Sequence, residues 1–210
     1  MAFLAQQLIL ERCPHCGVDS PTLNGLLIGN SNDPITTRDI IGDNVRIWRV
    51  YRCSRCGGLI TAAAPISIHY EVSEIYPEPV KVDEAIPNTA KAYLSQAINS
   101  INAPAGAVML CASSVDAMLK AKGYIKGRLY PRIEQAAKDH LITEGMKEWA
   151  HEIRLDANDQ RHADENATLP TMTDAQRVIK FTQALGEFLF VLPALIERGK
   201  ADVLDTAPGA

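Results

Sequence analysis

Cys13-Pro14-His15-Cys16-Gly17 and Cys53-Ser54-Arg55-Cys56-Gly57-Gly58 decide how the first part of this chain folds. A Cys-x-x-Cys turn sets two thiolates on one side of a tight loop. The glycine after each pair permits the positive φ and close backbone approach of a metal knuckle. Two knuckles supply four sulfurs, the closed tetrahedral set that structural Zn2+ prefers. Cys13, Cys16, Cys53 and Cys56 are therefore the expected ligands of one structural zinc ion, in a small β-rich zinc ribbon with no open position for a catalytic water. His15 could replace a sulfur, but it lies inside the knuckle and is expected to point away. The 36 residues between the pairs must form an inserted loop. A redox dithiol is the rival reading, and it suits two glycine-followed pairs less well. Metal binding would supply most of the folding energy of so small a module.

Around this constellation the chain has ordinary globular composition: 210 residues, 47% hydrophobic and 22% charged. That excludes wholly disordered, collagen-like and disulfide-miniprotein classes. A net charge of -4 and a pI near 5.7 argue against a diffuse polycation, so any nucleic-acid partner must meet a local patch. The start, MAFLAQQLILERC, has no basic region and no small-residue cleavage site. No apolar run approaches a membrane span, the longest being Phe188–Ile196 (FLFVLPALI), which holds Pro193. The expected compartment is the cytoplasm, with no membrane partner.

Composition shifts near residue 80, giving an α+β expectation: a zinc-ribbon domain over 1–80, a helical bundle over 85–200 and a flexible tail over 201–210. Strands are expected at Leu8–Leu10, Val45–Tyr51, Leu59–Ala63 and Ile66–Val72. Leu23–Asp43 is rich in Gly, Asn, Asp and Pro and reads as loop. Glu74–Pro87, with three prolines, reads as an extended linker. Helices follow: Asn88, as cap, to about Ile101; Pro104–Lys122 with Gly123 as stop; Tyr130–His140; Thr143–Ala163; and Thr173–Arg198. The last opens on a Thr173-x-x-Gln176 capping box and is kinked near Pro193.

Two stretches carry candidate binding chemistry. Arg46, Arg49, Arg52 and Arg55 cluster in sequence with Trp48 and Tyr51. Arginine beside aromatics suits phosphate contact and base stacking, so Arg46, Arg49 and Arg55 are nucleic-acid candidates, along with Arg161 below. A merely solvated strand face is the plainer alternative. In the fourth helix Met146, Trp149, Ile153 and Ala157 share one side at helical spacing. His151, Arg154, Asn158, Arg161 and His162 fall roughly opposite. Arginine can grip a phosphate bidentately and histidine can move a proton near neutral pH. A metal-independent ribonuclease would use those groups; an exposed helix laced with ion pairs would carry them too. Residues 105–200 hold 13 basic and 13 acidic side chains, so the helical part has no net charge.

Arg154-Leu-Asp-Ala-Asn158-Asp-Gln-Arg-His162 resembles the R-x-x-G-N-x-x-A-H signature of the HEPN-like domain-of-unknown-function family 4145. Ile86-Pro87 opening a helix, an Ala-rich second helix and Leu129-Tyr-Pro-Arg-Ile133 extend the resemblance over about residues 85–198. It implies an all-α HEPN-like helical bundle, often dimeric through the signature region, among relatives that include ribonuclease toxins, antiviral defence effectors and non-catalytic RNA or protein binders. It assigns catalytic roles to Arg154, Asn158 and His162. Ala157 stands where the family has glycine, Arg161 where it has a small residue, and seven residues separate Arg154 from His162. In the second helix only Asp116 matches the family's acidic position.

These readings converge on a zinc-binding, nucleic-acid-associated binding or defence module with potential ribonuclease activity. The competing expectation is a non-catalytic homodimeric assembly module that meets a protein partner, motivated by the apolar FLFVLPALI segment.

Overall fold

The computed structural model describes residues 2–26, 34–66, 70–162 and 168–205; the side chains of 161, 162 and 202–205 lie outside that description. The chain is α+β, an antiparallel sheet followed by helices, and it divides into two compact units, Met1–Val80 and Lys81–Ala210.

In the first unit β1 (Gln7–Leu8), β2 (Leu23–Gly25), β3 (Ile35–Thr37), β4 (Arg46–Cys53), β5 (Leu59–Pro65) and β6 (Glu74–Tyr76) form one antiparallel sheet. Its order is β1-β2-β4-β5-β6, with β3 also pairing β4. The backbone of the sheet is β4 against β5, in unbroken register from Arg46↔Pro65 to Arg52↔Leu59. Side chains alternate across a strand. Ile47, Tyr51 and Cys53 therefore turn inward with Ile60, Ala62, Ala64, Leu23 and Leu8, forming the core of this unit.

Three expectations fail here. Leu23–Asp43 is not all loop: Leu23 pairs with Cys53 and is fully buried, and Ile35 pairs with Trp48. Pairing with a long central strand overrides local turn composition. The expected linker begins with β6, because Ile75 pairs with Ala62 and packs on the core. The described ends of Ile66–Val72 are not strand. Ile66 is in a turn, Glu71 makes an isolated bridge to Phe3, and residues 67–69, including His69, lie outside the described residues.

The second unit is helical: α1 (Asn88–Asn99), α2 (Pro104–Ala121), α3 (Leu129–Lys138), α4 (Glu144–His162), α5 (Met172–Gly186), a π-helical turn (Glu187–Val191) and α6 (Leu192–Asp205). Asn88 is the first helical residue rather than a cap, the preceding position being Pro87. Small residues let α1 and α2 approach closely. Ala90, Leu94 and Ala97 meet a core with Ala107, Val108, Cys111, Val115 and Met118, and Ser114 Oγ donates to the Ala90 carbonyl at 2.8 Å. Gly123, at φ +96°, ends the turn after α2. The capping box of α5 is Thr171/Asp174, two residues before the expected one. Asp174 N–H donates to Thr171 Oγ1 at 3.3 Å, and Thr171 N–H donates back to Asp174 Oδ2 at 2.9 Å.

Pro193 does not break the last helix. Proline clashes with the carbonyl four residues earlier, and the wide turn immediately before it provides room. The helix then continues to Asp205, into the stretch expected as tail; 206–210 lie outside the described residues. Contrary to the sequence expectation, Met172–Ala201 is a continuous helical run long and apolar enough, by length and composition, to cross a membrane. Its inward side, from Ala175 through Leu189, is built into the core of the helical unit.

Candidate functional site

The four knuckle cysteines come together. One ligand atom from each of Cys13, Cys16, Cys53 and Cys56 lies within 4.8 Å of all the others, and Cys13 Sγ is 3.9 Å from Cys56 Sγ. A tetrahedral ion with Zn–S bonds of about 2.3 Å requires sulfurs about 3.8 Å apart. The two turns are built alike. Gly17 N–H donates to the Cys13 carbonyl and Gly57 N–H to the Cys53 carbonyl, both at 2.9 Å. Cys13 N–H reaches Val18 O and Cys53 N–H reaches Gly58 O, both at 3.0 Å. Gly17 and Gly57 sit at φ +64° and +74°, the left-handed conformation that favours glycine.

His15 is not a fifth donor to this set. Its Nε2 hydrogen-bonds the Leu59 carbonyl at 2.7 Å, and its ring lies on Gly58, where a Cβ would meet Cδ2 at 2.4 Å. Burial pushes the Cys13 thiol up to about 12. Cys53 moves the other way, to about 7: burial opposes this, but the N–H groups of Cys56 and Arg55 and the neighbouring thiols stabilise its thiolate. Four thiolates this close need a cation among them, and a coordinated thiol is deprotonated outright. The cluster could hold a metal ion such as zinc.

The arginines of β4 do not form one face. Arg46 and Arg52 share the side of Trp48, whereas Arg49 has the parity of Ile47 and Tyr51. Arg46 is engaged by Glu74 Oε1 at 2.9 Å and lies 5.4 Å from the Trp48 ring centroid. Tyr51 is buried and donates to the Ala5 carbonyl, so it is no stacking platform. Arg52 and Arg55 are exposed.

In the helical unit a cleft of about 970 Å³ opens between α2, α3 and α4, with Thr89 and Tyr93 of α1 also on its lining. Arg154 and Asn158 line it with Asp116. The side chains of Arg161 and His162 lie outside the described residues, although the backbone places both in α4. Lys120, Arg128 and Arg132 also line the cleft, so four basic side chains face one carboxylate.

Arg132 is 9% exposed and pairs with Asp116. Its Nη2 donates to the carbonyls of Ile125 and Gly127 at 3.0 and 2.6 Å. Lys120 Nζ holds the other Asp116 oxygen at 2.6 Å. Arg154 lies over Tyr130, 5.3 Å from the ring centroid. The Nε atoms of Arg132 and Arg154 are both buried and find no acceptor among the described residues. His151 turns to the side of this cleft, with Nε2 2.8 Å from Glu134 Oε1 and its ring 4.7 Å from Tyr130.

Sequence reasoning missed Lys120, Arg128, Tyr130 and Arg132. The signal existed in α3, where Arg132, Ile133, Ala136 and Ala137 form the buried face. A charge at such a position demands a buried partner. Cys111 and Trp149 belong to packing: burial pushes the Cys111 thiol up to about 12, and Trp149 lies 4.4 Å from Phe181, ring to ring.

Residues 95–201 match the family model described as "Domain of unknown function (DUF4145)". No curated protein and no solved structure matches the chain.

Proposed function

The chain belongs to the DUF4145 family, and from that premise we propose that it is a zinc-stabilised, nucleic-acid-associated binding module whose helical unit takes phosphate groups in the α2–α3–α4 cleft. One observation carries this reading. A chain of net charge -4 lines this one cleft with Lys120, Arg128, Arg132 and Arg154 against a single carboxylate, Asp116. A phosphate group in the cleft would meet that local excess of positive charge, and guanidinium groups can hold it bidentately. Arg154 and Asn158 would hold the phosphate, with Arg128 and Lys120 at its rim. Zinc fits the four-thiolate set, which is closed and therefore structural. The HEPN-like resemblance adds a role in nucleic-acid-directed defence and gives His162 as the base for a 2′-hydroxyl. On this reading the contact with nucleic acid belongs to the cleft rather than to Arg46 and Arg49.

The test is fluorescence anisotropy with a short single-stranded RNA over a salt series, followed by gel analysis of total RNA. Wild type should bind with a falling salt dependence. Arg154→Ala and Arg128→Ala should each weaken binding roughly tenfold and lower the salt slope by about one. Absence of binding at low salt, or binding indifferent to both substitutions, overturns the cleft assignment. Cleavage by wild type that is lost in His162→Ala and Arg154→Ala would establish the enzymatic form, and no cleavage under varied conditions would leave the protein a binder.

A further inference from the structure

The cleft of the helical unit has unlike walls. Its positive charge comes from the end of α2, from α3 and from α4, as Lys120, Arg128, Arg132 and Arg154. The wall added at the start of α1 is Pro87, Thr89 and Tyr93, which carry none. α1 buries Ala90, Leu94 and Ala97. Thr89 and Tyr93, four residues apart, share a strip beside that buried face. Tyr93 is 37% exposed. The Tyr130 ring is already engaged by Arg154 and His151. Tyr93 is in no ring pair and no cation contact among the described residues. Next to it α2 lines the cleft with the small side chains of Ala112, Ala117 and Ala121, which leave room for a flat group.

Cations suffice for a phosphate. An uncharged wall with an open aromatic ring adds nothing to that task, but it matches a base, which is flat and largely apolar on its faces. We propose that the cleft takes an unpaired nucleotide of a single strand, with Tyr93 as the stacking platform for its base. This rests on the cleft being a phosphate site: Arg154 and Arg128 hold the phosphate, and the attached base lies on the Tyr93 ring beside the alanines of α2. Stacking accepts every base, because each has a π face. Tyr93 therefore selects for an exposed base rather than for a sequence. In a duplex the faces of a base are covered by its neighbours, and bringing one out requires unstacking. Charge works in the opposite direction. A duplex carries phosphates more densely than a single strand, so a cleft that read charge alone would hold the duplex at least as tightly. Tyr93 is thus a specificity-determining residue whose contribution no cation in the cleft can replace.

Fluorescence anisotropy of the full chain with three probes tests the inference: a short single-stranded RNA of mixed sequence, the same strand annealed to its complement, and an abasic strand of equal length and charge. Wild type should bind the single strand about tenfold more tightly than either of the others. Tyr93→Leu should weaken binding of the single strand about tenfold while leaving the abasic strand and the salt slope unchanged. Tyr93→Phe, which keeps the ring, should bind like wild type. The abasic comparison needs wild type alone, so it decides the question even where Tyr93→Leu does not fold. Duplex or abasic strand bound as tightly as the single strand overturns the proposal, and so does a folded Tyr93→Leu that binds the single strand like wild type. In either case Arg154→Ala separates the two readings. If it still weakens all three probes, the phosphate site holds and only the base platform falls. If it weakens none, the phosphate site falls and the platform with it.

Discussion

Asp116→Asn should do two opposite things. The substitution keeps the shape and one acceptor while removing the charge. Asp116 is the carboxylate paired with Arg132 and it also holds Lys120. Without it the Arg132 guanidinium, 9% exposed, would face only the neutral carbonyls of Ile125 and Gly127, with Lys120, Arg128 and Arg154 lining the same cleft. Breaking a fully buried pair costs about 3–5 kcal/mol. Asp116 is 21% exposed, so water recovers part of that, and a loss of about 2–3 kcal/mol is expected. At about 4 °C per kcal/mol for a unit of this size, the melting temperature should fall by about 8–12 °C. The same change makes the cleft more cationic, so RNA should bind more tightly, by about tenfold at low salt, with a steeper salt slope. Calorimetry and anisotropy on one preparation read both quantities. General damage to the fold would weaken both together. A variant as stable as wild type, or one that binds RNA less well, would refute the account of Asp116 as the internal counter-ion of a phosphate site.

Purified chain should carry about one zinc per molecule, and Cys53→Ser should lose both the metal and the folded sheet; metal analysis beside circular dichroism would show full zinc retention if the four-thiolate assignment is wrong. Gly58→Ala should cost about 1–3 kcal/mol by overpacking, because the new Cβ meets the His15 ring that is tied to Leu59; pairing it with His15→Ala should recover most of that loss in denaturant melts. Hydrogen bonds from Thr171, first from its side chain and then from its backbone N–H, hold the Asp174 carboxyl below its usual range. The cap therefore contributes above the ordinary carboxylate pKa of about 3.9 and fades as pH falls through the lower folded value. Thr171→Ala should cost about 1 kcal/mol at neutral pH and flatten that acid limb in a series of melts.

The helices were legible because each rests on signals inside itself: Pro104 in the first turn and Gly123 after the last fix α2, and apolar spacing fixes the inward side of α4. The knuckles were legible for the same reason, since a Cys-x-x-Cys-Gly turn closes its own hydrogen bonds. The short strands were not. Leu23–Gly25 and Glu74–Tyr76 become strands only through Cys53, Tyr51, Ala62 and Ala63, which are distant in sequence. In the candidate site, Arg154, Asn158 and Asp116 could be named from motif and helix position. The convergence of Lys120, Arg128 and Arg132 on them depends on how α2, α3 and α4 cross, which no local pattern states. Strand parity is readable in the sequence: it separates Arg46 from Arg49 once Val45–Tyr51 is taken as a strand.

The wide turn at Glu187–Val191 works as a phase shifter. Counting at 3.6 residues from buried Leu185 and Leu189 would bring Leu192 and Ile196 inward, yet both end half exposed. One additional residue in a turn rotates everything downstream by about 100°. Deleting a single residue there would swing the greasy edge of the terminal rod back toward its own bundle, so the outward display is written in a count of residues rather than in their chemistry.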